Sequence, residues 1–249
     1  MRGNSILRSR SAIAVVALGI FVGVGRSASA ALIDITAPGD QILIVNGQND
    51  GDSAGGPPPV RGTPPGGGPG EQPENIIDNT TNKYLNFLDL GSGVIINPLT
   101  SRIGTGGVVV TGLRLYTAND SPLRDPASYI LEGSHTPSGP FTLISQGPLA
   151  LPEGRNAIPG NQLATPPTLP TPINPATQFN QTIEFANTIP YISYRLTFPT
   201  LKGAGPGIDP NAANSMQIAE IELLAVPEPG SLAVLSIGAL GLLARRRRA

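Results

Sequence analysis

Nine short runs of apolar, β-branched and aromatic residues recur along the chain with turn signals between them, and none carries a sustained helical period. They lie near Gln41 to Val45, Tyr84 to Leu88, Val94 to Ile96, Val108 to Tyr116, Tyr129 to Ser134, Phe141 to Ser145, Gln181 to Phe185, Ile192 to Phe198 and Gln217 to Leu224. Two of them, Gly112-Leu113-Arg114-Leu115-Tyr116 and Ser193-Tyr194-Arg195-Leu196-Thr197-Phe198, alternate with one apolar face, the mark of a half-buried strand. This spacing predicts an all-β fold, an antiparallel β-sandwich or jelly roll.

Two stretches interrupt the rhythm. Residues 47–73 hold 16 Gly or Pro in 27 positions, and residues 152–177 hold seven prolines. Neither buries enough apolar surface to offset its ordering entropy. Both are expected to be flexible, exposed inserts in one domain spanning residues 31–225. For the first, a linker following a short N-terminal arm is the competing reading.

The two ends of the chain read as an address. Arg2, Arg8 and Arg10 precede the apolar run from Ala12, and Ala28-Ser29-Ala30 precedes Ala31, giving the three parts of a secretory signal peptide with cleavage between Ala30 and Ala31. The run is 14 residues, against the ~20 that span a bilayer, so removal is favoured over an uncleaved anchor. Residues 226–249 hold Pro227-Glu228-Pro229, an uncharged stretch at 231–244, and Arg245, Arg246, Arg247 and Arg248. Arginines at that position hold their end on the cytoplasmic side. This segment resembles the PEP-CTERM sorting signal. The resemblance implies export through the secretion translocon, a transient anchor in the inner membrane by a short transmembrane helix over 231–244, and cutting near Pro-Glu-Pro by an exosortase-type membrane protease. It further implies delivery to the cell surface or biofilm matrix of a Gram-negative-type bacterium.

Loss of both ends removes eight arginines and Glu228, leaving eight bases against sixteen acids and a formal charge of about −8 on residues 31–226. Such a body repels nucleic acid and anionic lipid and favours divalent cations. The chain has no Cys, which excludes disulfides and thiolate chemistry, and its one His, His135, excludes multi-histidine metal sites.

The segment Asp78-Asn79-Thr80-Thr81-Asn82-Lys83-Tyr84 concentrates oxygen donors between apolar residues. It reads either as a loop around a hard cation or as an Asx-rich turn before a strand. This segment, the Gly133-Ser134 run, the Tyr194 to Phe198 strand and the closing Ile218-Ala219-Glu220-Ile221-Glu222-Leu223 strand follow the order of discoidin-like, galactose-binding-type domains, which they resemble. The resemblance implies an eight-stranded jelly roll and one structural calcium ion, held by Asp78, Thr81 or Asn82, the Ala219 carbonyl and Glu220. It departs from the family where Asn79 replaces the usual Gly and Tyr84 the commoner Trp. It also implies a non-enzymatic module that binds extracellular polysaccharide through loops at one end of the sandwich. Candidate glycan ligands are Arg124, Asp125, His135 and Arg155, beside the loop 116–126, although Arg124 and Asp125 also read as a surface ion pair. No G-x-S-x-G or phosphate-cradling glycine motif is present. A two-carboxylate glycosidase stays open, since its acids can lie far apart in sequence. A structural matrix spacer is the remaining alternative.

Overall fold

The computed structural model describes residues 31–45, 71–86, 90–156, 171–204, 213 and 215–227. The signal peptide, most of the first Gly/Pro-rich stretch, and the 231–244 segment with its arginine tail lie outside the described residues. No helix among the described residues is long and apolar enough to cross a membrane.

The fold is an antiparallel β-sandwich. One sheet has the order β1 (Ile33–Asp34), β11 (Glu220–Ala225), β5 (Val110–Tyr116), β8 (Asn180–Glu184). The other runs β2 (Gln41–Val45), β4 (Ser92–Asn97), β9 (Ser193–Phe198), β6 (Ser128–Ser134), β7 (Thr142–Pro148). A two-stranded ribbon pairs β3 (Tyr84–Asn86) with β10 (Met216–Ile218). Each named pairing is antiparallel.

Alternation decides what faces the core. Leu113 and Leu115 of β5 stand opposite Leu223 and Ile221 of β11, and all four are fully buried. Across the sandwich, Leu196 of β9 lies between Val94 and Leu131, again without exposed surface. Close strand approach fixes one position to glycine, because a Cβ on Gly93 would lie 2.0 Å from the Leu196 carbonyl oxygen.

Three departures from the sequence reading have physical causes. β1 spans two residues, too few to show a period, yet it pairs Ile33 with Ala225 and Asp34 with Leu224. The closing strand breaks at Ala219, whose N–H donates to the Tyr116 carbonyl at 3.0 Å, so that Met216–Ile218 turns away to pair with β3. The second proline-rich stretch holds structure at both its ends. Residues 171–173 return over the 79–81 loop, with the Thr81 N–H donating to Thr171 O and the Ile173 N–H to Asn79 O, each at 2.9 Å. Proline forbids a regular ladder but leaves isolated bridges available, and Thr80 pairs with Pro172 in one.

The sandwich has two poles. The ends of β5 and β9 and the starts of β6, β8 and β11 form a loop pole, where the Arg155 side chain reaches both Asp125 and the Asp120 carbonyl. At the terminal pole, the two ends of the described chain meet through β1 and β11, and Val108 bridges to Tyr191.

Candidate functional site at the loop pole

A short 3-10 turn, Pro73–Ile77, starts with proline and buries Ile76 and Ile77, which sets Asp78 at a fixed exit from the core. Asp78 Oδ1 accepts the Thr80 N–H at 2.8 Å and the Thr80 hydroxyl at 2.7 Å, closing an Asx turn. Its Oδ2 accepts Asn82 Nδ2 at 2.8 Å. Asn79 sits in the left-handed region at φ 59°, a conformation in which Asn is the usual substitute for Gly. The departure from glycine at this position therefore preserves the loop. The Asn79 N–H donates to Glu220 Oε2 at 3.1 Å across 141 residues of sequence.

Glu220 is fully buried, and its Oε1 has no hydrogen-bond partner; neither has Asn82 Oδ1. Burial first, then repulsion from Asp78 and Asp34, pushes the Glu220 carboxyl up to about 10. Asp34, on β1, is raised to about 6, chiefly by burial. Next along β11, Glu222 accepts from the Tyr116 hydroxyl at 3.0 Å and pairs with Arg114, so it is compensated where Glu220 is not.

The structure thus brings Asp78, Asn82 and Glu220 together, with Ala219 at the break just before the strand. Thr81 is turned elsewhere, its hydroxyl accepting the Thr171 N–H at 3.3 Å. Among the described residues no group of three or more His, Cys, Asp or Glu is placed to hold a metal, so a cation here draws on two carboxylates together with amide and backbone oxygens. Calcium takes 6 to 8 oxygen ligands. Asn82 Oδ1 is a buried acceptor without a donor, and Glu220 holds a proton that a cation would displace, so these oxygens fit a hard cation.

The four candidate glycan residues do not form one site. His135 follows β6 at the terminal pole, stacked on Tyr191 with ring centroids 5.0 Å apart. Asp125 precedes the same strand at the loop pole and is fully buried. It is not a surface pair with Arg124. Its carboxylate takes a bidentate bond from Arg155, at 2.7 and 2.6 Å, and an ion pair from Lys202 at 3.3 Å. The remaining Arg155 donors go to the carbonyls of Asp120, Pro152 and Glu153, which makes this side chain a strut between loops.

Other groups at this pole were not singled out by sequence. Lys83 is buried between Asp120 at 2.8 Å and Glu71 at 3.3 Å. Gln217 Nε2 donates to the carbonyls of Asp120 and Ser121, which fixes its amide and leaves Oε1 without a partner. Asn119 Oδ1 and Asp120 Oδ1 also lack partners. Seven buried side-chain atoms are unsatisfied among the described residues, all of them oxygens. Five, on Asn82, Asn119, Asp120, Gln217 and Glu220, lie at this pole, so it carries a surplus of acceptors. Phe179, just before β8 at the same pole, is almost half exposed. Its backbone is tied to Asn156 and Thr117, and a Cβ on Gly154 would lie 2.2 Å from its ring, so the ring lies flat over bare backbone. The sequence reading did not single out Phe179, because it lies just outside the run Gln181 to Phe185.

Residues 225–248 match the PEP-CTERM protein-sorting motif. No curated protein matches the chain. Among solved structures it is similar to the module CpGH89CBM32-5 of Clostridium perfringens, solved with GalNAc-β-1,3-galactose, at 11% identity and a TM-score of 0.46, covering 78% of this chain and 99% of that one. It is similar to the family 32 module of C. perfringens NanJ, solved with galactose, at 10% identity and a TM-score of 0.43, covering 77% and 99%. For the family 32 carbohydrate-binding module of Streptococcus pneumoniae EndoD the values are 13%, 0.41, 78% and 99%.

Two expected outcomes follow from these geometries. Glu220 has a folded-state pKa of about 10 against an ordinary 4.5, so the folded state holds a proton that the unfolded state releases. In the absence of a cation, stability is full below about pH 4.5 and falls as pH rises toward about 10. The Asp34 shift adds a smaller loss between about pH 4 and 6. Thermal unfolding in EDTA across this range should show a melting temperature that declines with pH in the natural chain and is nearly flat above pH 6 in Glu220→Gln. At the ion-pair strut, Asp125→Ala takes the carboxylate from the partly buried Arg155 guanidinium and from Lys202 and should cost about 3 kcal/mol in urea unfolding. Arg124→Ala should stay within about 0.5 kcal/mol.

Proposed function

We propose that this chain is an exported, non-enzymatic protein that its C-terminal motif directs to the cell surface, and that its loop pole binds extracellular polysaccharide on a calcium-stabilised framework. The observation that carries this reading is the acceptor surplus at the loop pole. Unpaired buried oxygens cost free energy until a donor or a cation reaches them. Hydroxyl-rich glycans are donors, and calcium satisfies several oxygens at once. Asp78, Asn82 and Glu220, with the Ala219 carbonyl, would hold the ion, which supplies charge compensation for a carboxylate that has no counter-ion of its own. The body's negative charge favours the same cation.

Phe179 supplies the apolar face that sugar recognition needs, since a pyranose packs its C–H face on an aromatic ring. The large aromatics Tyr84, Tyr116, Tyr194 and Phe198 are fully buried and serve the core. Arg155 and Asp125 position the loops rather than the ligand, because their polar atoms are spent on one another and on backbone carbonyls. An exosortase-type protease acting near Pro227-Glu228-Pro229 would release the domain into the matrix.

The test is retention on immobilised exopolysaccharide of the producing cell in millimolar calcium. Phe179→Ala removes an exposed ring, so the melting temperature should move little while retention is lost. Unchanged retention would move the ligand away from this pole. Failure of the natural chain to be retained on any polysaccharide would favour a matrix spacer.

A further inference from the structure

The strand that carries Glu220 also runs directly into the sorting motif. β11 begins at Glu220 in the loop pole, and the motif match begins at Ala225, its last residue. Five residue steps of ~3.4 Å place the two ends of this strand about 17 Å apart. The first residues of the domain are held at the same terminal pole, because β1 pairs Ile33 with Ala225. Between them lies a cleft of about 650 Å³. Ala31 and Leu32 line it from one terminus and Val226 from the other, with Thr111 and residues 184–186 between.

The cleft differs in character from the loop pole, although the terminal side also holds the Arg102–Asp40 ion pair. The loop pole carries the charges of Asp78, Lys83, Asp120, Asp125, Glu153, Arg155 and Lys202, most of them in ion pairs. Val226 in the lining is an exposed apolar side chain, as are Ile33, beside Leu32, and Ile189, three residues on from Ala186, and Glu184 is the one ionisable side chain in the lining. Only residues 228–230 separate Pro227 from the uncharged stretch beginning at 231. Three extended residues span about 10 Å. A chain anchored through 231–244 therefore cannot hold its terminal pole far from the bilayer.

We infer that the terminal pole is the membrane-facing surface of the anchored precursor, with the cleft and its apolar rim against the bilayer surface and the loop pole directed outward. This orientation rests on the sorting reading of the C-terminal segment and is independent of what the loop pole binds. Its consequence is that the candidate binding pole faces away from the bilayer before release, so that calcium would reach Glu220 and Asp78 while the chain is still tethered.

The chain has no cysteine, so one introduced thiol gives a unique label. Ala186→Cys marks the cleft and Glu153→Cys the loop pole; both positions are exposed. The exported chain, residues 31–249, carrying either label is reconstituted into phosphatidylcholine vesicles that contain a headgroup-attached nitroxide quencher, and melting curves establish that each variant is folded. The inference expects the fluorophore at 186 to lose most of its emission and the one at 153 to keep it. Equal quenching at both sites, or stronger quenching at 153, overturns the orientation. Failure of the chain to float with the vesicles overturns the anchor on which it rests. Neither result depends on glycan binding, so this inference and the binding reading can fail separately.

Discussion

The pairing of β11 between β1 and β5 is the constraint on which the rest of the molecule depends. Its inward residues, Ile221 and Leu223, meet Leu115 and Leu113 and close the core on one side. Its other face carries Glu220 and Glu222 into buried surroundings, where each carboxylate needs compensation. One edge of the strand holds the start of the domain through Ile33 and Asp34, and its last residue opens the sorting motif. A register slip of one residue would send the glutamates into the core and the leucines outward. The same alternation that builds the sandwich therefore also places the candidate cation site at one pole and the processing segment at the other.

Compensation of the buried carboxylates separates framework from site. Glu222 has Arg114 and Tyr116, Asp125 has Arg155 and Lys202, and Asp40 has Arg102. These pairs join strands and loops and have no oxygen left over for a ligand. Glu220 differs, with one backbone N–H and three repelling acids, Asp78, Asp34 and Glu222, for neighbours. An isolated buried charge of this kind either takes up a proton or acquires a cation. The unsatisfied oxygens of Asn82, Asn119, Asp120 and Gln217 at the same pole enlarge that deficit.

Much of the sandwich was legible because strand alternation is a local signal. Each of the nine runs overlaps a strand, and Asp78 with Glu220 came from the resemblance to discoidin-like domains rather than from spacing. What was not legible depends on contacts between residues distant in sequence. Arg155 reaches Asp125 across 30 residues, and the bond of Thr81 to Thr171 spans 90. Local composition made Asp125 look exposed and the proline-rich stretch look structureless. Gln217 lies in a strand, where its alternation says nothing about the two carbonyls that orient it. Phe179 precedes a strand, and only the bare backbone of Gly154 beneath it explains why the ring lies on the surface. Asn79 is the reverse case: it departs from the family's usual glycine, and its left-handed backbone shows that the loop keeps the conformation a glycine would adopt.

The claim that most needs testing is that Glu220 is built to meet a cation. Thermal unfolding of the exported chain in excess EDTA and then in millimolar calcium tests it directly. A ligand confined to the folded state stabilises it by about 2.7 kcal/mol when present at a hundredfold its dissociation constant. The account predicts an upward shift of the melting temperature with calcium in the natural chain, and none in Asp78→Ala or Glu220→Gln. A melting temperature that calcium leaves unchanged would contradict it and leave Glu220 as a buried acid held neutral by its own proton.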